Sequence, residues 1–407
     1  MSSATADGLV PSAIRSRLES LDVLRGIAAL LVVTQHFWER YPAFMRFTEQ
    51  RFRIGEFGVV LFFLTSGFVI PASLERRNSL REFWIGRFFR LFPLYWFVLG
   101  TTLLLYATGY YRYLNPHYVA DWARATAVNL TMLQQFLGAP LAIGQSWTLA
   151  YEVTFYAGVS VLFVAGIHRR SARAALLALL ASAAIGAHQH QHTLQLLYQP
   201  ALYFGTMFVG SVIYRWTAGQ VTRRTLAGIG IGATAAIVVG QLPGRASGAR
   251  YSSANTAEIL TYLTAFLVFL AVILARHRRF PRPLVYLGTI SYSLYLNHSV
   301  LLYAGPTWPN NQRLTILVGM ALTVVGSTVT YHLVERPAQA LGRRLVRRLR
   351  ARSAGRRERV DDGVAVGAAG QQQAQQHAGL VRVEQPGADQ PALGQVGLRT
   401  GEAVGVP

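Results

Sequence analysis

Residues 21–38, LDVLRGIAALLVVTQHFW, form an apolar run that holds an arginine, Arg25, and a histidine, His36. A guanidinium binds phosphate, and a neutral imidazole accepts a proton near pH 7. A charged side chain at mid-bilayer costs about 2.5–3.5 kcal/mol on insertion scales, so ionisable residues inside such a run are functional candidates. Eleven residues apart at 100° per residue, the pair differs by about 20° around a helix and about 16 Å along it. One stripe therefore carries both, with Arg25 near one end and His36 past the middle. The plainer alternative has Arg25 snorkelling to the interface beside Asp22, with His36 a hydrogen-bonded packing residue.

Further chemistry-bearing residues fall in other apolar runs. In FWIGRFFRLFPLYWF, Arg87 and Arg90 are i,i+3 neighbours that could grip a phosphate, or else set topology beside anionic lipid. QSWTLAYEVTFY places Glu152, its only carboxylate, five residues after Trp147. LGTISYSLYLNHSVLLY places His298 beside Asn297, following Tyr292 and Tyr295. In YHLVERPAQ, Glu335 reads as an anchor for an arginine, and Pro337 as a helix stop. HQHQH (188–192) lacks an acidic or cysteine partner for zinc, and GIGIGA reads as close helix packing. The layout is vectorial: Arg25, Arg87 and Arg90 gather at one mouth, while His36, Glu152 and His298 lie further along. A polyanionic donor would meet the arginines first and extend its reactive end to the histidines. Acyl transfer from a coenzyme A thioester to an alcohol needs an imidazole base and a flanking carboxylate, and no metal.

The elements that must position these residues are membrane helices. The 407 residues are 52% hydrophobic with a formal charge of +21, and all 39 basic residues other than histidine are arginines. The apolar residues come in blocks of roughly 18–22, enough to cross about 30 Å of hydrocarbon. The charges lie between the blocks, which argues for a bilayer partner and against nucleic acid. Cysteine is absent, which excludes disulfides, thiolate catalysis and cysteine-ligated metals. The expectation is an all-α polytopic bundle of about ten spans, near 21–41, 57–74, 91–110, 145–166, 173–187, 196–214, 225–242, 257–275, 284–304 and 314–334. Arginine-rich loops at 76–90, 169–173, 215–224 and 276–282 share one side, cytoplasmic by the positive-inside rule, with both termini. Residues 1–19 read as a cytoplasmic arm, 20–340 as the transmembrane domain, and 341–407 as a basic segment with a disordered tail. No cleavable signal and no transporter-like repeat are evident. The outer connection 111–144 contains YVADWARATAVNLTMLQQFL, whose spacing suits a helix along the interface.

In order, LDVLRGIAALLVVTQHFW, FGVVLFFLTSGFVI, FWIGRFFRLFPLYW, QSWTLAYEVTFY, SYSLYLNH and VERP resemble the signature blocks of the membrane-bound acyltransferase 3 family. That family includes bacterial O-acetyltransferases of surface glycans, nodulation-factor acetylases and macrolide acyltransferases. The resemblance spans residues 20–340. It implies about ten spans in the inner (cytoplasmic) membrane and acyl-CoA, acetyl-CoA in the first instance, as a cytoplasmic cosubstrate with no bound cofactor. Its first-span arginine and histidine fall on Arg25 and His36, and its R-x-x-R pair on Arg87 and Arg90. Its Ser-Gly-Phe turn falls on Ser66, Gly67 and Phe68, and its acidic position on Glu152. Two departures stand out: Tyr151 where the family often has a second acidic residue, and Asn297 where an aromatic often precedes the histidine. The expected activity is O-acyl transfer to a glycan hydroxyl presented outside the cytoplasm or at the membrane. His36 would be the base, supported by Glu152 or His298. Arg25, Arg87, Arg90 and Ser66 would hold the donor, and Trp147, Tyr292, Tyr295 and Asn297 would line the acceptor region. Asp22 and Glu335 would be structural. A macrolide or small glycoside is the alternative acceptor, and a proton-coupled transporter or flippase is the alternative class.

Overall fold

The structure, a computed structural model, describes residues 12–111, 113–188, 192–241 and 253–352, with Gly370, Gln371 and Gln375. Met1–Val346 form one compact unit, and Arg347–Pro407 a second, whose described residues Arg347–Arg352 are helical. The disordered-tail expectation and the centre of HQHQH (189–191) lie outside the described residues.

Every described regular element is helical. In a hydrocarbon solvent the backbone must satisfy its own hydrogen bonds, which a helix does within one segment. The order is α1 (Ser12–Trp38), α2 (Pro42–Gln50), α3 (Ile54–Arg77), α4 (Leu80–Ala107), α5 (Pro116–Ala120), α6 (Trp122–Asn129) and α7 (Trp147–Val164). There follow α8 (Ser171–Ala187), α9 (His192–Thr217), α10 (Arg223–Gln241), α11 (Ser253–Leu274), α12 (Arg282–Thr289), α13 (Ser291–Ala304) and α14 (Gln312–Thr330). Seven of the described helical segments are long and apolar enough to cross a membrane: α1, α3, α4, α7, α10, α11 and the one containing α14. Leu177, Ile231, Leu267, Leu317 and Leu333 are exposed around the outside. Apolar side chains in that position suit a lipid solvent, and the chain is a multi-pass membrane protein.

Three sequence expectations change. The run 284–304 is not one helix: it breaks at Ile290 into α12 and α13. The stretch within 111–144 makes two short helices and then turns, pinned where Asn129 bonds Ala125, Pro140 and Ala142. In GIGIGA, Gly228 and Gly230 face open space, and the close approach near there is between Gly186 and Gly240.

α1 and α3 form the centre. α3 crosses α9 so tightly that a Cβ on Gly67 would strike the Met207 carbonyl, and one on Gly210 the Leu64 carbonyl. α12 meets α1 in the same way, through Gly288 against Asp22 and Gly26 against Gly288. Small residues are what allow helix backbones to approach this closely. These crossings fix the axial register of α3 against α9 and of α1 against α12. At the arginine-rich end, fully buried Arg215 pairs with Glu75 and bonds the His168 carbonyl, tying α3, α9 and the α7–α8 loop.

Candidate active site

The site has two wide ends and a narrow middle. At the arginine-rich end, Asn78 closes α3 in the left-handed region (φ 48°), and the Ser79 hydroxyl accepts from the Glu82 amide to start α4. That tight turn carries α4 back alongside α3, with Arg87 and Arg90 on its first turns. An inner cavity of about 180 Å³ is bounded there by Asp22, Arg25, Ser66, Arg87, Arg90 and Glu152. Among the described residues Arg25 has a single long ion pair, 3.9 Å to Asp22. Arg87 donates to the Ser73 hydroxyl at 3.2 Å and lies over the Phe83 and Tyr156 rings, while its Nε is buried without a partner among the described residues. Arg90 makes no hydrogen bond or ion pair among the described residues, although it lines the cavity. Three guanidiniums face two carboxylates, so the chamber has unspent positive charge and donors to offer an anion.

Glu152 belongs to this chamber. It accepts from the Ser66 hydroxyl at 3.3 Å and from the Tyr156 hydroxyl. It does not line the outer chamber that holds His36, so the expected Glu152 support of His36 has no contact behind it. α7 enters from the far side, and five residues carry Glu152 about 7.5 Å inward from Trp147. Ser66, Gly67 and Phe68 do not form a turn either. They lie inside α3, with Ser66 facing Glu152, Gly67 against α9, and Phe68 buried against Tyr214 and Phe269. Glu335, in a π-helical turn (Tyr331–Glu335), accepts from Ser293 at 2.7 Å and from Gln339 at 3.0 Å. Arg90 and Arg25 are the cations that face it.

Next comes a neck of about 50 Å³. It shares Arg25, Ser66, Arg90 and Glu152 with the inner chamber, and Val59 and Tyr295 with the outer one. Phe62 and Tyr295 meet edge to face at 5.5 Å. Tyr292, expected near the acceptor, is here too, its hydroxyl fixed on the Leu91 carbonyl at 2.8 Å. Gln145 holds the wall in register. Its amide donates to the Tyr295 and Leu296 carbonyls and to Ser299, and its own carbonyl accepts from the Tyr295 hydroxyl. This docks the start of α7 onto α13, and sequence reasoning missed it because a glutamine before a tryptophan carries no signal alone.

The outer chamber, about 600 Å³, is walled by His36, Gln35, Arg53, Glu56, Trp147 and Tyr203, among others. The His36 and His298 rings stack with centroids 5.1 Å apart and planes within 15°. His298 is 1% exposed and lines none of the three cavities, so it stands behind His36. Its Nδ1 is 2.7 Å from the Tyr295 carbonyl, which can only accept, so Nδ1 carries the proton. His36 Nδ1 faces Glu39, 3.4 Å away, on the turn after α1. By the same logic this leaves the His36 Nε2 lone pair for a substrate. Glu39 was not singled out in the sequence; its spacing of three from His36 was the available signal. Asn297 points elsewhere, bonding Ser293 and Thr330 of α14, so it supports the helix pair and not the cavity.

A chamber pair with an arginine-lined end and an imidazole beyond a neck has the layout that group transfer between two substrates would use. Residues 18–332 match the family model described as an acyltransferase domain, and the chain belongs to the acyltransferase 3 family and is an acyltransferase. It is 29% identical over 317 residues to nodulation protein 10 of Rhizobium leguminosarum bv. viciae, covering 72% of this chain and 84% of that one. It is 25% identical over 370 residues to a putative peptidoglycan O-acetyltransferase of Bacillus subtilis, covering 80% of this chain and 55% of that longer protein. A third similarity is to the acyltransferase MdmB of Streptomyces mycarofaciens, 29% identical over 153 residues, 34% of this chain and 38% of that one. No solved structure matches.

Proposed function

We propose that the protein is an integral inner-membrane O-acyltransferase of about ten spans with both termini in the cytoplasm. It moves an acyl group, acetyl in the first instance, from cytoplasmic acyl-CoA to a hydroxyl of a glycan presented outside the cytoplasm or at the membrane. The observation that carries this reading is the run of chambers, about 180, 50 and 600 Å³, from the arginine-lined end to His36. Arg25, Arg87 and Arg90 take the donor's phosphates. The neck admits a slender thioester arm and excludes a nucleotide. Glu152, Ser66 and Tyr156 keep the inner wall polar and ordered.

In the outer chamber, His36 Nε2 takes the proton of the acceptor hydroxyl as its oxygen attacks the thioester carbonyl. The tetrahedral intermediate collapses, the C–S bond breaks, and the imidazolium returns its proton to the departing thiolate. The products are an O-acyl ester and free coenzyme A. Glu39 holds the tautomer and faces the imidazolium, and the His298 ring fixes the plane of His36. One relative's name supports the glycan side of the reading, that of the putative peptidoglycan O-acetyltransferase. Purified protein in proteoliposomes, given labelled acetyl-CoA and an oligosaccharide, should form labelled O-acetyl ester. Flux of the oligosaccharide without acetyl-CoA, and no ester with it, would favour a flippase instead.

A further inference from the structure

The outer chamber differs from the rest of the chain in the sign of its walls. The protein carries +21 overall, yet Glu49 and Glu56 line this chamber and Glu258 stands behind it. Arg53 is the one arginine among its described lining residues, and it is already committed, at 3.2 Å to Glu56 and 2.9 Å to Glu258. Burial works against the Arg53 charge, but the Glu56 and Glu258 carboxylates outweigh it and hold the guanidinium above its ordinary pKa. The Arg53 amide is also fixed, donating to Thr261. Among the described lining residues no arginine stands without a carboxylate partner, unlike Arg90 in the inner chamber.

A second observation concerns which polar atoms lack partners. Gln35 Oε1 and Gln199 Oε1 are buried without a hydrogen bond among the described residues, and both residues line the chamber. The Gln199 assignment is fixed chemically: its Nε2 donates to the Glu258 carboxylate at 2.9 Å, so the other atom is the carbonyl oxygen. Gln199 therefore presents an unsatisfied acceptor and Gln35 a second buried amide atom without a partner among the described residues, beside the carboxyl groups of Glu49 and Glu56. Such a wall is satisfied by hydroxyl, amide or ammonium donors; a carboxylate or phosphate brings only more acceptors and repulsion in a low-dielectric site. Trp147 and Tyr203 line the same chamber as an aromatic corner, ring centroids 5.4 Å apart at 35°. Aromatic faces carry negative potential and suit the C–H face of a pyranose, while a few convergent polar groups set its orientation.

Building on the acyltransferase reading above, we propose that this chamber is an acceptor subsite selective for an uncharged or amino-bearing sugar unit and closed to uronate- or phosphate-bearing units. Trp147 and Tyr203 supply the stacking surface, and Gln35, Gln199 and Glu56 read the donors. The test is calorimetric binding, without acyl donor, of three probes to the full-length protein in nanodiscs: trimers of N-acetylglucosamine, of glucosamine and of galacturonate. The neutral and amino trimers should bind at least ~10-fold more tightly than the uronate trimer. Trp147→Ala should weaken them by ~10-fold or more with acetyl-CoA binding intact, and Trp147→Phe should restore most of it. Glu56→Gln should narrow the gap to the uronate. Equal binding of all three trimers, binding of none, or a Trp147→Ala protein that binds like wild type would overturn the proposal. Acyl transfer is scored separately. Selective sugar binding without transfer from acetyl-CoA upholds the subsite and defeats the acyltransferase mechanism, whereas transfer to uronate as readily as to neutral sugar defeats the subsite alone.

Discussion

The inner and outer chambers share helices α1, α3 and α7 but are prepared for opposite chemistries. The inner one leaves arginines under-used: Arg90 without a partner among the described residues, Arg87 with an orphan Nε, Arg25 with one long ion pair. The outer one spends its cation on two carboxylates and leaves acceptors unsatisfied. Unpaired donors ask for an anion, and unpaired acceptors ask for hydroxyls. In the proposed reaction this difference would set the direction of transfer, and the neck would keep the two ligands apart.

Each prediction attacks one part of that contrast. His36→Ala should cost about 10²–10⁴-fold in acetyl transfer, the range of a lost general base, with both ligands still binding; a calorimetric and rate comparison with wild type checks it. Val59→Trp should plug the neck, cutting transfer by ~10²-fold while acetyl-CoA still binds the inner chamber and the sugar trimer the outer one. Equal transfer by that variant would mean that the chambers do not communicate there. Arg90→Gln should raise the acetyl-CoA KM about 10–100-fold, the worth of a charge-assisted hydrogen bond or two, and leave the acceptor KM alone. Glu39→Gln should be the mildest, a few-fold fall in kcat, because the amide still faces Nδ1 but with its charge gone.

Much of this contrast was legible in the sequence because helical arithmetic is reliable within one segment. Arg25 and His36 do share a stripe: Arg25 lines the inner chamber and the neck, and His36 the outer chamber. Arg87 and Arg90 do bound the same inner chamber as Arg25. What failed was register between helices. Glu152 was grouped with the histidines because both looked distant from the arginines, but α7 starts at Trp147 and carries Glu152 inward to Ser66. Asn297, adjacent to His298, faces α14, since neighbours on a helix point about 100° apart. Glu39 sits beyond the end of α1 in a turn, where periodicity says nothing, and Gln145 acts through backbone carbonyls of α13, 150 residues away. The break at Ile290 was hidden because apolar residues continue through it.

Sidedness tests the central claim most directly. In proteoliposomes with the arginine-rich loops facing out, labelled acetyl-CoA is added outside and a membrane-impermeant oligosaccharide acceptor is either trapped inside or added outside. Labelled ester on the trapped acceptor only, abolished by His36→Ala, is the result expected from two chambers joined by a neck. Ester formed only on acceptor that shares the acetyl-CoA side would contradict it, because donor and acceptor would then enter by the same door.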